Sequence, residues 1–145
     1  MNLPTEFEWQ QAFTGGDASR TYPWPGEWDA RRCNSVEAGR HRTTVVGLYP
    51  AGASPDGVMD LAGNVQEWCV NKFELASARE VDDSRSRRVL RRGAWLDAAD
   101  LLRSSDRFRR YPGPRFNLLD VVPTRNSVLV DFVDVFPSRA VAFPG

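Results

Sequence analysis

The apolar residues of this 145-residue chain occur in short runs between glycines and prolines, and one run has the start signal of a helix. Thr5 and Glu8 have the spacing of a capping box, in which each side chain accepts a hydrogen bond from the other residue's backbone. Through EFEWQQAF, the residues Phe7, Trp9 and Phe13 supply apolar contacts. The pattern predicts a helix that begins after Thr5 and ends at the Gly-Gly pair that follows.

Four further runs have the alternation or the β-branched content of strands, and turn residues bound them. They are TTVVGLY (43–49), VQEWCV (65–70), RVLRRGAW (88–95) and SVLVDFVDVF (127–136). The last run alternates well, and an exposed edge strand of this kind can pair with another chain, so we expect a homo-oligomer. Loops dominate the remaining sequence, which predicts an α+β fold that is mostly irregular.

Composition indicates a single globular domain and excludes several classes of function. Apolar residues make up 41% of the chain, with five Trp and eight Phe, which argues against disorder. The formal net charge is zero, so we expect no nucleic-acid partner. No run is apolar enough for a signal peptide or a membrane span, and two cysteines do not make a disulfide framework. These features predict a cytoplasmic domain without membrane contact.

The stretch GVMDLAGNVQEWC (57–69) has the oxygen donors of a metal site. Asp60 and Glu67 flank a Gly63-Asn64 turn, and the carbonyl groups of Gly63 and Val65 lie between the two carboxylates in sequence. Calcium takes about six to eight oxygen ligands and accepts carboxylates mixed with backbone carbonyls. The alternative is an ordinary β-turn with two solvated acids, which is the common state of such residues.

Several motifs in order resemble the C-terminal half of the formylglycine-generating enzyme (sulfatase-modifying factor) superfamily. They are LPTEFEWQQAF, YPWPGEWD, CNSVEAGRHRTTVVGLYPAGASPDGVMDLAGNVQEW and RVLRRGAW. The resemblance runs from Leu3 to Trp95 and more loosely to Leu119. It implies a C-type-lectin-like fold with little regular structure, of which residues 1–119 form the C-terminal portion and 120–145 a divergent tail. The N-terminal half of the superfamily domain is expected to be missing, so the fold would be incomplete.

The resemblance also implies two structural calcium sites. The family's ligand positions fall on two groups of residues in this chain: Asp60, Gly63, Val65 and Glu67 in the first, and Asn34, Ser35 and Glu37 in the second. In the second group, Asn34 would give its side-chain oxygen and Ser35 its carbonyl, with Glu37 as a further donor.

The redox metal ligands of the superfamily have no counterpart in the sequence. The enzymes hold copper with two thiolates near their C-terminal end, where this chain reads LRSSDRFRRYPGPRFNLLD without cysteine. Cys33 and Cys69 lie elsewhere in the motif order, and we expect both to be buried and inert. His41 is the lone histidine, whereas another branch holds iron with several. Copper is therefore not expected. Smaller departures include Gln66, where relatives have Trp, and Arg92 in place of a glycine.

A change in composition follows Trp95, because residues 96–145 contain no Glu, Gln, Lys, Met or Trp. Randomised Asn codons cannot encode these five residues, and some superfamily members are variable proteins of diversity-generating retroelements. That resemblance implies a ligand-binding surface within 96–118, with Leu96, Asp97, Asp106, Phe108, Arg110, Tyr111 and Phe116 as contacts. A GC-rich genome or a shifted reading frame would also explain the composition. The arginines at 103, 107, 109 and 110 are expected to pair with the nearby acids at 97, 100 and 106.

The sequence thus predicts a non-catalytic, calcium-stabilised binding module whose ligand is a protein or another molecule. Two alternatives stay open. One is a formylglycine-generating oxidoreductase that acts on a protein cysteine and activates sulfatases, and the other is a degraded fragment without a function of its own.

Overall fold

The computed structural model describes residues 3–75, 86–91 and 93–111, and within these ranges the fold is a small α+β arrangement. The regular elements are the helix α1 (Glu6–Thr14) and the strands β1 (Glu67–Lys72), β2 (Arg88–Arg91) and β3 (Arg107–Arg110). Short 3-10 turns lie at Ala30–Arg32, Val36–Ala38, Pro50–Gly52, Phe73–Leu75 and Ala99–Leu101. The expectation of an α+β fold with long irregular segments is confirmed.

Helix α1 has the predicted termini. The Thr5 hydroxyl accepts a hydrogen bond from the Glu8 N–H at 3.2 Å, and Glu8 Oε2 accepts one from the Thr5 N–H at 2.8 Å. The helix ends at Gly15, whose φ of 63° is left-handed. Trp9 and Phe13 are buried, whereas Phe7 is 49% exposed and lies outside the core.

The three strands form one antiparallel sheet with the order β1-β2-β3. Glu67 pairs with Arg91, and Arg91 with Arg107, so these three residues share one row of the sheet. β2 lies within the predicted run 88–95, and β1 overlaps the predicted run 65–70 but extends two residues beyond it. β3, RFRR, was predicted as an arginine cluster and not as a strand. The run 127–136 lies outside the described residues.

The predicted strand at 43–49 is wrong, because this segment is irregular. Its backbone N–H groups donate hydrogen bonds to side chains and not to a neighbouring strand. Asn64 Oδ1 accepts a hydrogen bond from the Thr44 N–H at 2.9 Å, and Asp60 Oδ2 accepts one from the Gly47 N–H at 2.7 Å. The residues Val45 and Leu48 are exposed as a result of this arrangement.

The hydrophobic core lies between α1, the sheet and the aromatic segment that follows the helix. It includes Trp9, Phe13, Tyr22, Trp24, Val89 and Leu102, together with the thiols Cys33 and Cys69. The rings of Tyr22 and Trp24 stack with centroids 5.5 Å apart. In the part of the chain that the structure describes, no helix has the length and apolar content that a bilayer crossing requires.

Candidate functional site

The two segments that the sequence predicts as metal sites meet in the structure. Asn34 and Gly63 form an isolated parallel bridge, and the Asn34 carbonyl accepts a hydrogen bond from the Asn64 N–H at 2.8 Å. Gly63 has a φ of 86°, and a Cβ at this position would lie 2.4 Å from the Asn34 carbonyl oxygen. The close approach of the two backbones therefore requires glycine. We call this contact the Asn34–Gly63 junction.

Asn64 fixes a third and a fourth segment to the junction. Its φ of 63° is left-handed, a conformation that asparagine tolerates better than most residues. Its side chain bonds Thr44 through both the N–H and the carbonyl of that residue. Its own carbonyl accepts a hydrogen bond from the Trp95 N–H at 3.1 Å. From the sequence, Asn64 was expected only as a turn residue, although its residue type and its position after a glycine were signals of this role.

The side chain of Asn34 has one buried oxygen that suits a cation. Asn34 is 0% exposed, and its Nδ2 donates to the Arg42 carbonyl at 2.9 Å and to Asn64 Oδ1 at 3.2 Å. These two acceptors orient the amide, and its Oδ1 has no hydrogen-bond partner among the described residues. Such a buried oxygen costs about 1–3 kcal/mol when unsatisfied, and amide oxygens are calcium ligands. Asn34 therefore fits the predicted second calcium site.

The two carboxylates of the first predicted calcium site, Asp60 and Glu67, are both buried and contact different segments. Asp60 has a left-handed backbone, with a φ of 58°. Burial raises the pKa of its carboxyl group, and the hydrogen bond from the Gly47 N–H acts to lower it. Glu67 lies on β1 and accepts a hydrogen bond from the Trp9 indole N–H. Asp60 thus faces the 43–49 segment, and Glu67 faces α1. A buried ionised carboxylate needs hydrogen-bond donors or a cation nearby, so both positions are compatible with a bound divalent ion.

The other predicted ligands have these positions. Val65 is buried next to the junction, and the Ser35 carbonyl accepts a hydrogen bond from the Ala38 N–H at 3.1 Å. Glu37 Oε1 accepts one from the Ala99 N–H at 2.9 Å. Burial acts to raise the pKa of Glu37, but hydrogen bonding, led by the Ala99 N–H, lowers it overall. Within the described ranges no three His, Cys, Asp or Glu side chains gather as a metal cluster, so any ion would need the amide and carbonyl oxygens as well.

Residues 1–118 match the family described as the sulfatase-modifying factor enzyme 1-like domain. The chain belongs to this family.

Proteins similar to this chain have names that indicate different functions. The chain is 40% identical over 120 residues to "Serine/threonine-protein kinase pkn1" of Chlamydia pneumoniae, covering 77% of this chain and 19% of that protein. It is 33% identical over 108 residues to "Inactive C-alpha-formylglycine-generating enzyme 2" of Bos taurus, covering 68% of this chain and 33% of that protein. The chain therefore spans between about a fifth and a third of the length of these curated relatives.

A solved structure also resembles this fold. The structure of Treponema denticola variable protein 1 superposes with a TM-score of 0.61 and 29% sequence identity, covering 79% of this chain and 44% of that one. The resemblance to the formylglycine-generating enzyme superfamily is thereby confirmed from both sequence and structure.

The predicted ligand-binding residues of this family member fall in two groups. Leu96 is 38% exposed and lies beside Asp97, whose Oδ2 accepts a hydrogen bond from the Ala94 N–H at 2.9 Å. The second group is on or next to β3, where Phe108 is 37% and Tyr111 is 63% exposed. Asp106 and Arg110 accompany them, and both are partly buried. Phe116 lies outside the described residues.

The prediction that the arginine run pairs with the acids at 97, 100 and 106 is wrong for Arg107. Its guanidinium donates twice to the Glu6 carboxylate, from Nε to Oε1 and from Nη2 to Oε2, both at 2.8 Å. Arg91 Nη1 also donates to Glu6 Oε1 at 2.9 Å, and its guanidinium lies 4.2 Å from the Trp9 ring centroid. Glu6, Arg91 and Arg107 thus form an ion cluster between α1 and the sheet, in which Glu6 and Arg91 are buried and Arg107 is partly exposed. This cluster was not predicted, because its three residues are distant from one another in sequence.

Both thiols of the chain are in the core. Cys33 is 2% and Cys69 is 1% exposed. Burial raises the pKa of Cys33 to about 12, and nearby carboxylates act in the same direction. Burial also raises the pKa of Cys69. Thiols in this state stay protonated, and the thiolate is the form that binds metals and attacks substrates.

Proposed function

We propose that this chain is a non-catalytic, ligand-binding module of the sulfatase-modifying factor family, stabilised by calcium. The observation that carries the proposal is the burial of both cysteines in the hydrophobic core. Copper chemistry on a substrate cysteine needs thiolate ligands that a substrate can approach. Cys33 and Cys69 offer neither exposure nor ready ionisation.

Calcium would act at the Asn34–Gly63 junction. The unsatisfied Asn34 Oδ1 supports this part, together with the buried carboxylates of Asp60 and Glu67. Two ions would share these ligands, as the resemblance implies. The first would be held by Asp60, Glu67 and the carbonyl oxygens of Gly63 and Val65, and the second by Asn34, the Ser35 carbonyl and Glu37. A bound cation would join segments that short strands alone do not hold, as a C-type-lectin-like fold with long loops requires. Residues 1–119 would form this family portion, and 120–145 the divergent tail.

The ligand would bind to residues within 96–118. Support comes from the exposed aromatic side chains Phe108 and Tyr111, since exposed rings supply contact area at low entropic cost. Two similar proteins bear on the same point: one is named a variable protein, and another is named inactive. The partner would be a protein or another molecule, bound without chemical conversion.

The calcium part is tested by thermal unfolding in calcium and in a chelator. Calcium should raise the melting temperature of the wild-type chain, because an ion that binds only the folded state stabilises it. Asn34→Ala should abolish this increment, whereas Asn34→Asp, which retains an oxygen and adds charge, should preserve it. The increment, not the melting temperature itself, is the readout, since both variants alter the core. A wild-type chain that shows no increment would refute the calcium proposal.

The catalytic alternative is tested directly. The chain is incubated with copper, oxygen and a cysteine-containing sulfatase-type peptide, and aldehyde is measured by mass spectrometry. The proposal predicts no aldehyde above the level with copper alone. Aldehyde that depends on Cys33 or Cys69 would establish the oxidoreductase instead.

A further inference from the structure

A row of rings and guanidinium groups lies at one end of the sheet, with Arg109 and Tyr111 exposed and Phe73 and Arg87 partly buried. Arg109 has its guanidinium carbon 5.4 Å from the Phe73 ring centroid, and Arg87 has its guanidinium carbon 5.8 Å from the Tyr111 ring centroid. We call these four residues, Phe73, Arg87, Arg109 and Tyr111, the arginine–aromatic ledge.

The register of the sheet explains why these side chains meet. Arg107 pairs with Arg91, and Arg109 pairs with Val89, so all four point to the same face of the sheet. Continuing this alternation by two residues along each strand brings Arg87 opposite Tyr111 on that face. The ledge is therefore the solvent end of the face whose buried end carries the Glu6 ion cluster.

The ledge has accessible groups next to a fixed arginine that is not part of it. Arg107 is held by both oxygens of Glu6 and covers one part of the Phe73 ring, with its guanidinium carbon 4.1 Å from the centroid. Arg109 is exposed, and within the described residues its guanidinium forms a ring contact but no hydrogen bond or ion pair. Tyr111 is 63% exposed. Arg87 donates to Glu74 at 2.9 Å.

These groups define the chemistry of a ligand. A guanidinium packed against a ring is weakly hydrated, and its planar donors match a carboxylate in bidentate geometry. An exposed tyrosine beside it offers a flat apolar face to another ring. We infer that the ledge binds an acidic segment of a partner protein that also carries an aromatic residue. Arg109 binds the carboxylate of this segment, and Tyr111 packs against its ring.

The charges on the ledge favour a peptide over a nucleic acid. Single-stranded nucleic acid is bound along a continuous cationic groove. The ledge has two guanidinium groups that are not committed to the core, and Glu74 lies beside one of them. The chain as a whole has no net charge. A short acidic peptide matches this limited, mixed pattern better than a run of phosphates.

This inference rests on the proposed function and names its partner class. It extends the binding surface beyond 96–118 to Phe73 and Arg87, which precede that segment. Exposed Phe108 lies on the opposite face of β3 from Arg109, because successive strand residues alternate. Phe108 is therefore outside the ledge.

The test is fluorescence anisotropy with the full chain and three labelled probes. They are a peptide that alternates glutamate with phenylalanine, the same peptide with glutamine for glutamate, and a single-stranded oligonucleotide. The acidic peptide should bind most tightly. Arg109→Ala and Tyr111→Ala should each weaken its binding about fivefold or more, which is the loss expected at a central contact. Arg31→Ala, the same charge change at an arginine whose side chain is 89% exposed, should leave binding unchanged.

Three results would overturn the inference. They are equal binding of the acidic and glutamine peptides, tighter binding of the oligonucleotide, and an Arg109→Ala chain that binds like the wild type. Circular dichroism of each variant checks that β3 is retained, and Arg109→Gln serves as a second variant if Arg109→Ala does not fold. Failure of peptide binding without aldehyde production refutes the ledge but not the non-catalytic module. Aldehyde production together with peptide binding would refute the non-catalytic module but not the ledge.

Discussion

Glycine is required at position 63 for two reasons, and the contribution of each to stability can be measured separately. Its φ of 86° disfavours any side chain, and its missing Cβ admits the Asn34 carbonyl. Gly57 has a similar φ of 81°, but a Cβ there would meet nothing within 4 Å. Comparing substitutions at Gly57 and Gly63 therefore separates the cost of backbone strain from the cost of opening the contact between two chain segments.

We expect Gly57→Ala to cost about 1–2 kcal/mol of unfolding free energy, which is the penalty of the left-handed conformation. Gly63→Ala should cost clearly more, because the junction must open to admit the methyl group. Urea denaturation followed by circular dichroism measures both. Equal losses would mean that the junction does not constrain the fold.

Gln66 is a buried polar residue whose replacement should stabilise the chain. It is 9% exposed, and its Oε1 has no hydrogen-bond partner among the described residues. Gln66→Leu removes the unsatisfied oxygen at similar volume and should raise the free energy of unfolding by about 1 kcal/mol. Gln66→Glu has the same shape but buries a charge, and should lower it. A loss of stability in the leucine variant would show that the amide has a partner in solution.

At the scale of single residues, the sequence predicted which side chains could supply ligand oxygens better than it predicted their hydrogen-bond partners. Asn34 and Asp60 were named as oxygen donors from residue type and from the resemblance, and both are buried at one junction. The hydrogen bond that Asp60 accepts from the Gly47 N–H and the pair of bonds between Asn64 and Thr44 were not predicted. They depend on which irregular segments meet, and no local pattern encodes that meeting.

Among the elements, α1 was predictable because its signals are local. The capping box and the terminal glycine lie within a few residues of each other, so tertiary contacts were not needed. Strand β3 is the opposite case, because RFRR has no apolar alternation and becomes a strand through pairing with β2. The 43–49 segment has strand composition, but side chains of Asp60 and Asn64 bind its backbone groups.

The Glu6 ion cluster is the main polar link between α1 and the sheet. Glu6 begins the helix, and its carboxylate contacts one arginine from β2 and one from β3. Burial lowers the pKa of Arg91, and the charge of Glu6 opposes that effect. Loss of Glu6 would therefore leave Arg91 as a buried cation without its counter-ion.

We expect Glu6→Gln to lower the free energy of unfolding by about 3–5 kcal/mol, as in other buried pairs that lose one partner. The matched control is Glu74→Gln, which breaks the exposed pair with Arg87 and should cost at most about 1 kcal/mol. Chemical denaturation of both variants gives the comparison. Similar losses would mean that water reaches the Glu6 cluster.

For the molecule as a whole, the cysteines report how cooperatively the fold opens. Cys33 precedes the junction, and Cys69 lies on β1 in the core, so the two thiols sample different segments. Neither can react with a thiol reagent until its own surroundings open. If the junction, helix and sheet form one cooperative unit, a single opening event exposes both.

We therefore expect both thiols to react with an aromatic disulfide reagent slowly and at the same rate, set by the population of the open state. The raised pKa of Cys33, about 12, further suppresses the native thiolate. The single variants Cys33→Ala and Cys69→Ala leave one thiol each, so the two rates can be measured separately. Ser19→Cys, at an exposed position, should react at once and shows that the reagent is active.

Calcium should slow the labelling of both buried thiols by the same factor, because an ion bound at the junction stabilises the whole unit. Faster labelling of Cys69 than of Cys33, or slowing of Cys33 alone, would show that the junction and the sheet open independently.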